Sequence, residues 1–229
     1  MGRAKEILVK VIPAKVAVPF VKKHHYSGKV VQNSSLHFGA FLDGKLHGVM
    51  SYGSPLDKRK VLPLVQPSLW NEMLELNRMA FDNYLPKNSE SRCIAISIKL
   101  LKKNAPHIKW VLSFSDGTQC GDGAIYRASG FALTSIKKNS TVGVLDGKVV
   151  ADFTFQKGKH ILENNGKAKA PERFQMLEGF QLRYIYLIDK TCKITVPILP
   201  FSKIDEMGAG MYKGKKVSLQ ERKLQAAEA

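Results

Sequence analysis

The sequence predicts an α/β protein with a mixed central sheet flanked by helices and a β-rich C-terminal extension. Before Phe131, apolar stretches of strand length alternate with amphipathic stretches of helix length. Two Asp-Gly pairs, Asp43-Gly44 and Asp146-Gly147, each separate two short apolar runs and predict hairpins. After Phe131 the pattern changes to strands, and these predict the extension.

The first third of the chain predicts a strand, a helix and a hairpin. Residues 6–12 alternate weakly and form the first expected strand, which Pro13 ends. The helix is expected to begin near Pro19, because proline is tolerated in a first turn, and to end before Ser27-Gly28. The hairpin strands are expected over 36–42 and 46–52.

The middle of the chain adds a loop, two strands and two helices. Residues 56–65 are basic and punctuated by prolines, so a loop is expected, and residues 73–81 follow as an apolar strand. Asn88 or Ser89 can cap a helix that runs to about residue 103, with its apolar side chains three to four positions apart. A strand over 109–114 and a short helix carrying Tyr126 complete this part.

The C-terminal part predicts strands over 141–145, 149–155, 181–188 and 193–199. The polar stretch 156–173 between them is expected to be a long flexible loop. From residue 208 the chain is basic, and 219–229 could form a frayed helix. We therefore divide the chain into a catalytic core over 1–136, a β-rich part of the same domain over 137–207 and a basic tail over 208–229.

The charge of the chain indicates an anionic partner. With 229 residues and 44% hydrophobic content, the chain can bury a good-sized core. Lys and Arg number 36 against 19 Asp and Glu, a formal charge of +17. Nucleic acid is the leading candidate partner, and a merely soluble basic protein is the alternative. Lys29, Lys58, Arg59 and Lys60 are candidate phosphate contacts.

Cysteine usage and hydropathy narrow the class of protein further. Cys93, Cys120 and Cys192 are far apart, which argues against a zinc ribbon and a disulfide framework and favours reduced thiols. No apolar run is long enough for a signal peptide or a membrane span. We expect a cytoplasmic protein without a membrane partner.

A first candidate cluster lies where the first helix is expected to end. It contains, in order, His24, His25, Tyr26, Ser27, Gly28 and Lys29. One interpretation is a solvated helix end with Gly28 in the left-handed conformation, and we favour it for His24. For His25 and Tyr26 we favour function, because histidine titrates near neutral pH and serves as acid, base or ligand.

A second cluster consists of Glu75, Asn77 and Arg78 in the predicted strand over 73–81. Polar groups among apolar neighbours are costly unless they line a cleft. Arg78 forms either an ion pair at a sheet edge or a clamp for an anion. A guanidinium offers two parallel hydrogen bonds to phosphate or carboxylate, which favours the clamp.

A third cluster begins at Asp116, in a polar, glycine-rich turn after the strand over 109–114. A strand that brings a carboxylate to a turn before a helix is a common layout of α/β active sites. The alternatives are that Asp116 only caps the turn and that Tyr126 is a core tyrosine. Gly121 and Gly123 are too close together for a phosphate-binding loop, and an acidic residue separates them.

Several short motifs, in their order and spacing, resemble the Mom family of phage DNA-modification enzymes. They extend over about residues 5–200 and are His25-Tyr26-Ser27-Gly28-Lys29, Glu75-Leu76-Asn77-Arg78, Ser115-Asp116-Gly117, Ile125-Tyr126-Arg127-Ala128 with Phe131, and Arg183-Tyr184-Ile185-Tyr186. The resemblance implies a GNAT-like fold. It also implies an enzyme that converts N6 of adenine in DNA to an N6-carbamoylmethyl (acetamido) form, which shields phage DNA from restriction in the infected bacterial cell.

With this resemblance, the candidate residues take roles. His25 or Asp116 would remove a proton from N6, and Tyr126 would donate one to the leaving group. Tyr26 is a fourth catalytic candidate and could alternatively stack on a flipped adenine. The candidates for contacts with substrate or donor are Ser27, Asn77, Arg78 and Ser115. The DNA partner is either a duplex or locally opened DNA, and the oligomeric state stays open.

The donor is open, because one feature departs from ordinary GNAT enzymes. Those enzymes hold the pyrophosphate of acetyl-CoA with a glycine-rich turn, whereas residues 88–92 contain no glycine. An acetyl-CoA-like thioester and a glycine-derived species both remain candidates. Iron(II) is a further candidate, with His25 and Asp116 as ligands. The alternative functions are a GNAT-type acyltransferase for a protein or small amine, and a non-enzymatic DNA-binding protein.

Overall fold

The computed structural model describes residues 3–151 and 173–218, together with residues 220, 221 and 224. The strands are β1 (Leu8–Val11), β2 (Ser34–Leu42), β3 (Lys45–Gly53), β4 (Val65–Gln66), β5 (Met73–Phe81), β6 (Trp110–Gly117), β7 (Ala132–Lys138), β8 (Val142–Leu145), β9 (Lys148–Ala151), β10 (Gln175–Met176), β11 (Phe180–Leu187), β12 (Lys193–Ile194), β13 (Met211–Tyr212) and β14 (Lys215–Lys216). The helices are α1 (Ala14–His24), α2 (Lys58–Val61), α3 (Ser89–Asn104), α4 (Ala124–Ala128) and α5 (Ser202–Glu206).

A seven-stranded sheet in the order β1-β2-β3-β5-β6-β11-β7 forms the centre of the fold. Strands β1, β2, β3 and β5 pair antiparallel with their neighbours, whereas β5 and β6 pair parallel. The sheet is therefore mixed. Smaller sheets join β4 to β12, β8 to β9 and β10, and β13 to β14.

Helices α1 and α3 cover opposite faces of this sheet. Val49 on β3 packs in a cluster with Ala17 and Val21 of α1. Tyr52, three positions further along β3, shares a hydrogen bond of 2.7 Å with the hydroxyl of Ser97 on α3. Residues three apart on a strand point to opposite faces, so the sheet is flanked by helices on both sides. The predicted α/β class is confirmed.

Both Asp-Gly hairpins form where the sequence predicted them. Asp43 and Gly44 take positive φ angles of 51° and 73° between β2 and β3. Asp146 and Gly147 take φ angles of 51° and 72° between β8 and β9. Two consecutive residues with positive φ define the hairpin turn that suits the twist of paired strands.

The start of α1 differs from the prediction. The helix begins at Ala14 and contains Pro19 inside, whereas the sequence favoured a start at the proline. Pro19 is exposed, while Ala17 and Val21 are each only 1% exposed against the sheet. This apolar packing outweighs the backbone hydrogen bond that the proline removes.

Other differences concern short elements. The expected loop over 56–65 contains α2, whose first turn is capped by the side chain of Asp57. Strand β6 extends to Gly117, so Asp116 lies in the strand and not after it. The sequence did not predict β4, β7, β10, β13, β14 or α5, and the strand expected over 193–199 is reduced to β12. Residues 156–172 and the end of the strand expected over 149–155 lie outside the described residues, as does most of the helix expected over 219–229.

The chain forms two compact units. The first contains the described residues up to 115 with 123–135 and 182–203, and the second contains 116–122, 136–151, 173–181 and the described residues from 204 onward. In the first unit, a second apolar cluster contains Met73, Trp110, Leu112 and Ile185. In the second unit, the backbone N–H of Met211 donates to the carboxylate of Asp122 at 2.9 Å.

Gly53 provides a test of how closely the segment before β2 lies against β3. A Cβ atom at Gly53 would overlap the carbonyl group of Asn33, whereas a Cβ at Gly121 would meet the carbonyl oxygen of Met211 at 3.6 Å, an ordinary contact. Gly53→Ala should therefore cost about 2 kcal/mol of unfolding free energy. Thermal and urea denaturation measure this loss. Gly121→Ala is the control and should be close to neutral, so equal stability of the two variants would contradict the close approach.

Candidate active site

A β-bulge at Asn77 interrupts the pairing of β5 with β3. Ser51 pairs with Arg78 and Tyr52 pairs with Leu76, so Asn77 is the extra residue on β5. A bulge breaks the alternation of side chains and redirects them, and bulges occur often beside active sites. Asn77 and Arg78, two residues singled out from the sequence, therefore lie at an irregular point of the central sheet.

Strands β5 and β6 stop pairing one residue before this bulge. Their parallel ladder ends with the pair Leu76–Ser113, and the hydroxyl of Ser113 donates to the carbonyl oxygen of Leu76 at 2.9 Å. Beyond this pair, β5 remains on β3 while β6 continues to Gly117. Ser115, which is 9% exposed, follows where the ladder has ended. Ligands of open α/β sheets bind at such places, outside the carboxyl ends of strands.

Only one end of the Asn77 side-chain amide makes a hydrogen bond with the described residues. Its Oδ1 accepts a hydrogen bond of 2.9 Å from the hydroxyl of Ser34. Its Nδ2 is buried and has no hydrogen-bond partner among the described residues. The residue as a whole is 9% exposed. A buried donor without a partner calls for an explanation, and the contact of Asn77 with substrate or donor stays a prediction.

Arg78 fixes the loop that follows α1. Its Nε donates to the carbonyl oxygen of Lys29 at 3.0 Å, and its Nη1 donates to the carbonyl oxygen of Asn77 at 2.7 Å. The guanidinium thus joins the loop to the bulge of β5. This role adds to the ion pair and the anion clamp weighed from the sequence. The anion clamp stays a prediction.

Glu75 lies on the same face of the sheet as Arg78. Their partners on β3, Gly53 and Ser51, are two positions apart, and paired residues share a face. Burial raises the pKa of the Glu75 carboxyl to about 7, although the positive charge of Arg78 acts in the opposite direction. A carboxyl group with this pKa exchanges protons near neutral pH. The sequence analysis did not select Glu75 as a site residue, although it lies in one of the motifs.

The cluster after α1 forms a compact turn. His25 ends the helix, its Nδ1 lies 2.8 Å from the hydroxyl of Ser27, and Gly28 has a positive φ of 61°. The rings of His25 and Tyr26 lie 4.3 Å apart, and Tyr26 is 47% exposed. His24 instead stacks on Phe20 at 4.4 Å. The turn therefore presents the ring of Tyr26 to solvent beside an imidazole.

Tyr126 lies in an aromatic core. Only 7% of it is exposed, and its ring centroid lies 5.3 Å from that of Tyr184 and 5.5 Å from that of Phe131. Gly123, with a φ of 84°, begins the helix at a point where a Cβ would overlap the ring of Tyr184. Burial raises the pKa of nearby Tyr52. The surroundings of Tyr126 are those of a core tyrosine, and its catalytic role stays a prediction.

Asp116 belongs to the second unit and is bound by its own turn. Its Oδ1 accepts from the backbone N–H of Thr118 at 2.9 Å, from the Thr118 hydroxyl at 2.5 Å and from Gln181 at 3.2 Å. Its Oδ2 accepts from Gln119 at 3.2 Å. These bonds are those of a turn cap. A shared site with His25 and Tyr26 stays a prediction.

The described residues contain no group of three or more His, Cys, Asp or Glu side chains placed to hold a metal ion. Nδ1 of His25 is already engaged by Ser27. The assignment of iron(II) to His25 and Asp116 stays a prediction.

The predicted phosphate contacts differ in their surroundings. Arg59 and Lys29 are exposed. Lys58 donates to the carbonyl oxygen of Trp70 at 2.9 Å and lies over its ring, and Lys60 pairs with Asp57 at 3.0 Å.

In the described ranges, no helix has the length and apolar character needed to cross a membrane.

The sequence of a known protein agrees with the resemblance seen in the motifs. The chain is 32% identical over 192 residues to the protein named methylcarbamoylase mom of Escherichia phage Mu, covering 83% of this chain and 79% of the relative. Among solved structures, a GNAT family acetyltransferase from Elizabethkingia anophelis with acetyl-CoA bound is similar at a TM-score of 0.46, with 14% identity over 79% of this chain and 97% of that one. The IAA acetyltransferase from Bacillus cereus gives 0.45, with 13% identity over 79% and 99%.

The model of the Mom protein family matches residues 6–203. This range contains all the motifs on which the resemblance rests, from His25 to Tyr186. The chain therefore belongs to the Mom protein family.

Proposed function

We propose that this protein is a transferase that modifies DNA by converting N6 of adenine to the N6-carbamoylmethyl form. The observation that carries the proposal is the match to a methylcarbamoylase over 83% of the chain. The interrupted central sheet, with polar Asn77, Arg78 and Ser115 around it, offers a place for the reaction. The modification would protect phage DNA from restriction in the infected cell.

The reaction must form one bond to N6 and break one bond in the donor. A donor of the form X–CH₂–CO–NH₂ transfers its carbamoylmethyl group to N6, one N–H bond breaks, and the leaving group departs as H–X. The enzyme must therefore accept a proton from N6 and supply one to X. If X is a thiol, its sulfur must be bonded to the CH₂ carbon as a thioether, because a thioester would acylate N6 and give an amide. If X is an amine, the donor is a glycine-derived amide.

Proton transfer and base placement are assigned to the predicted residues. His25 or Asp116 accepts the N6 proton, and Tyr126 supplies the proton for the leaving group. Tyr26 supports the extracted base by stacking, which its exposed ring allows. Ser27 orients the imidazole of His25 through their contact of 2.8 Å. If iron(II) takes part, it would activate the donor as a Lewis acid, with His25 and Asp116 as the ligands to test.

DNA supplies the anionic partner that the charge of +17 requires. Adenine N6 is paired and stacked in a duplex, so the enzyme must extract the base or act where the strands are already open. Exposed Lys29 lies on the loop that Arg78 attaches to β5. Phosphate contacts there would place a DNA backbone beside the bulge of the sheet.

Mass spectrometry of nucleosides tests the proposed function directly. DNA is isolated from bacteria that express the protein and is digested to nucleosides, with an empty vector as control. A deoxyadenosine carrying the mass of an added carbamoylmethyl group is the expected result. Unmodified DNA would overturn the proposal. Tight DNA binding without modification would then support the DNA-binding protein, and an acetylated amine product would support the acyltransferase.

Salt should weaken DNA binding strongly. An interface of several phosphate contacts loses about a thousandfold in affinity between 50 and 200 mM salt, because bound counterions are released. Fluorescence anisotropy with a labelled duplex measures the slope. Arg59→Gln should reduce the slope by about one contact, and Lys60→Gln should reduce it less, because Lys60 already pairs with Asp57. An affinity that does not change with salt would contradict binding through phosphates.

Arg78→Lys should abolish most of the modification activity. Lysine cannot hold two carbonyl groups with a planar fork, and it cannot bind an anion bidentately. Arg183→Lys is the matched control, because Arg183 is another arginine of the sheet bound to a neighbouring residue, the hydroxyl and carbonyl of Thr134. Modified nucleoside and melting temperature are measured for both variants. An activity loss at an unchanged melting temperature supports the clamp, whereas near-normal activity would contradict it.

His25→Ala, Asp116→Ala and the double variant should be inactive to a similar degree. Residues that act as one unit give losses that do not multiply. Each variant is assayed for modified nucleoside, DNA binding and folding, and His24→Ala serves as the control because His24 stacks on Phe20 instead. Independent, multiplicative losses would show that the two residues share no site. Loss of bound iron in the single variants would identify them as ligands.

A further inference from the structure

Two buried amide atoms in the first unit have no hydrogen-bond partner among the described residues. They are Oδ1 of Asn33 and Nδ2 of Asn77. Buried polar atoms are nearly always paired, and an unpaired one calls for an explanation. One of these atoms is an acceptor and the other is a donor.

The two asparagines lie on either side of Ser34. Asn33 precedes Ser34 in the chain, and the Ser34 hydroxyl donates to Oδ1 of Asn77 at 2.9 Å. Ser34 also pairs with Gly53 on β3, and a Cβ at Gly53 would overlap the carbonyl group of Asn33. Ser34 therefore connects the two asparagines, since Asn33 adjoins it in the chain and Asn77 accepts from its hydroxyl.

In each of the two amides, the second polar atom makes a hydrogen bond that fixes the orientation of the group. Nδ2 of Asn33 donates to the carbonyl oxygen of Ser54, so a flipped amide would set oxygen against oxygen. Oδ1 of Asn77 accepts from the hydroxyl of Ser34. The held ends leave an oxygen on Asn33 and an NH₂ group on Asn77 for a ligand. A matching ligand must present a donor beside an acceptor.

We infer that Asn33 and Asn77 bind the Watson–Crick edge of the target adenine. Oδ1 of Asn33 accepts from the N6 amine, and Nδ2 of Asn77 donates to N1. Guanine and thymine present the reverse order, an acceptor at O6 or O4 beside an N–H donor, and are rejected. This edge is exposed only when the base has left the duplex, so the inference rests on the proposed function.

Glu75 completes the polar surroundings of the amine. It pairs with Gly53 on the side opposite to Ser34. It is half-buried, and its carboxyl group makes no hydrogen bond or ion pair with the described residues. Adenine N6 carries two hydrogens, and Asn33 binds one of them, so the second remains for the group that accepts the N6 proton.

Base analogues test the inference in the wild-type protein. Labelled oligonucleotides carry one unpaired target base, which is adenine, 1-deazaadenine, purine or 7-deazaadenine. 1-Deazaadenine lacks the N1 acceptor and purine lacks the N6 amine, so each should bind about tenfold more weakly than adenine. 7-Deazaadenine keeps the whole edge and should bind as adenine does. Fluorescence anisotropy measures binding without any donor.

A variant with a matched control tests the assignment to Asn77. Asn77→Asp keeps an oxygen for the Ser34 hydroxyl but replaces the donor, so it should bind adenine and 1-deazaadenine equally. Asn71→Asp makes the same chemical change at an exposed residue whose Oδ1 accepts from Lys58. It should keep the wild-type preference, and melting temperatures verify that both variants fold.

The outcomes separate the inference from the proposed function. Equal binding of all four bases by the wild type would overturn the inference, even if modified nucleoside is found in cells. An Asn77→Asp variant that still prefers adenine would also overturn it, and an activity loss in that variant would then assign Asn77 to the donor. Absence of modified nucleoside would instead refute the proposed function, and the analogue measurements would remain valid.

Discussion

The structure of the site depends on one strand that has to pair with two neighbours running in different directions. Strand β5 pairs antiparallel with β3 over most of its length, and parallel with β6 over only four residue pairs. Antiparallel and parallel ladders differ in hydrogen-bond spacing. The bulge at Asn77 lies directly after Leu76, the last residue of β5 that pairs with β6. Backbone groups near such a point are available for side chains and ligands, and polar residues collect there.

The loop after α1 is held to this point by backbone contacts and side-chain contacts together. Arg78 holds the carbonyl oxygen of Lys29, Ser34 holds the amide of Asn77, and Asn33 holds the carbonyl oxygen of Ser54. Each contact joins the loop or the start of β2 to another strand or its end. The loop that carries His25 and Tyr26 is therefore part of the sheet framework. A rigid support of this kind is what placement of a substrate base requires.

The sequence predicted the large elements well because their signals are local. The Asp-Gly hairpins, the strand β5 and the helix α3 all follow from turn chemistry and apolar spacing, which act within a few residues. The predicted start of α1 was wrong because the helix begins where Ala17 and Val21 can pack on the sheet. That packing involves residues distant in the chain. The two-residue strands β13 and β14 also carry too few residues for a pattern to show.

The candidate site was predicted unevenly for the same reason. Asn77 and Arg78 stood out because polar side chains in an apolar strand are visible in the sequence. Ser34 and Asn33 gave no signal, since a polar residue before a strand is ordinary and only the fold brings it to Asn77. Glu75 lay within a motif, but its raised pKa comes from burial, which depends on neighbours distant in the chain. The turn cap around Asp116 likewise includes Gln181, far along the chain.

The way in which Arg78 holds the loop has a consequence for sequence variation in this protein. The contact is made to the carbonyl oxygen of Lys29 and not to its side chain. A substitution at position 29 that leaves the backbone unchanged therefore keeps the hydrogen bond from Arg78. The side chain of exposed Lys29 can therefore change while its carbonyl oxygen keeps the loop in place. The charge that the loop presents to solvent can thus be varied at position 29 independently of the contact that attaches the loop to β5.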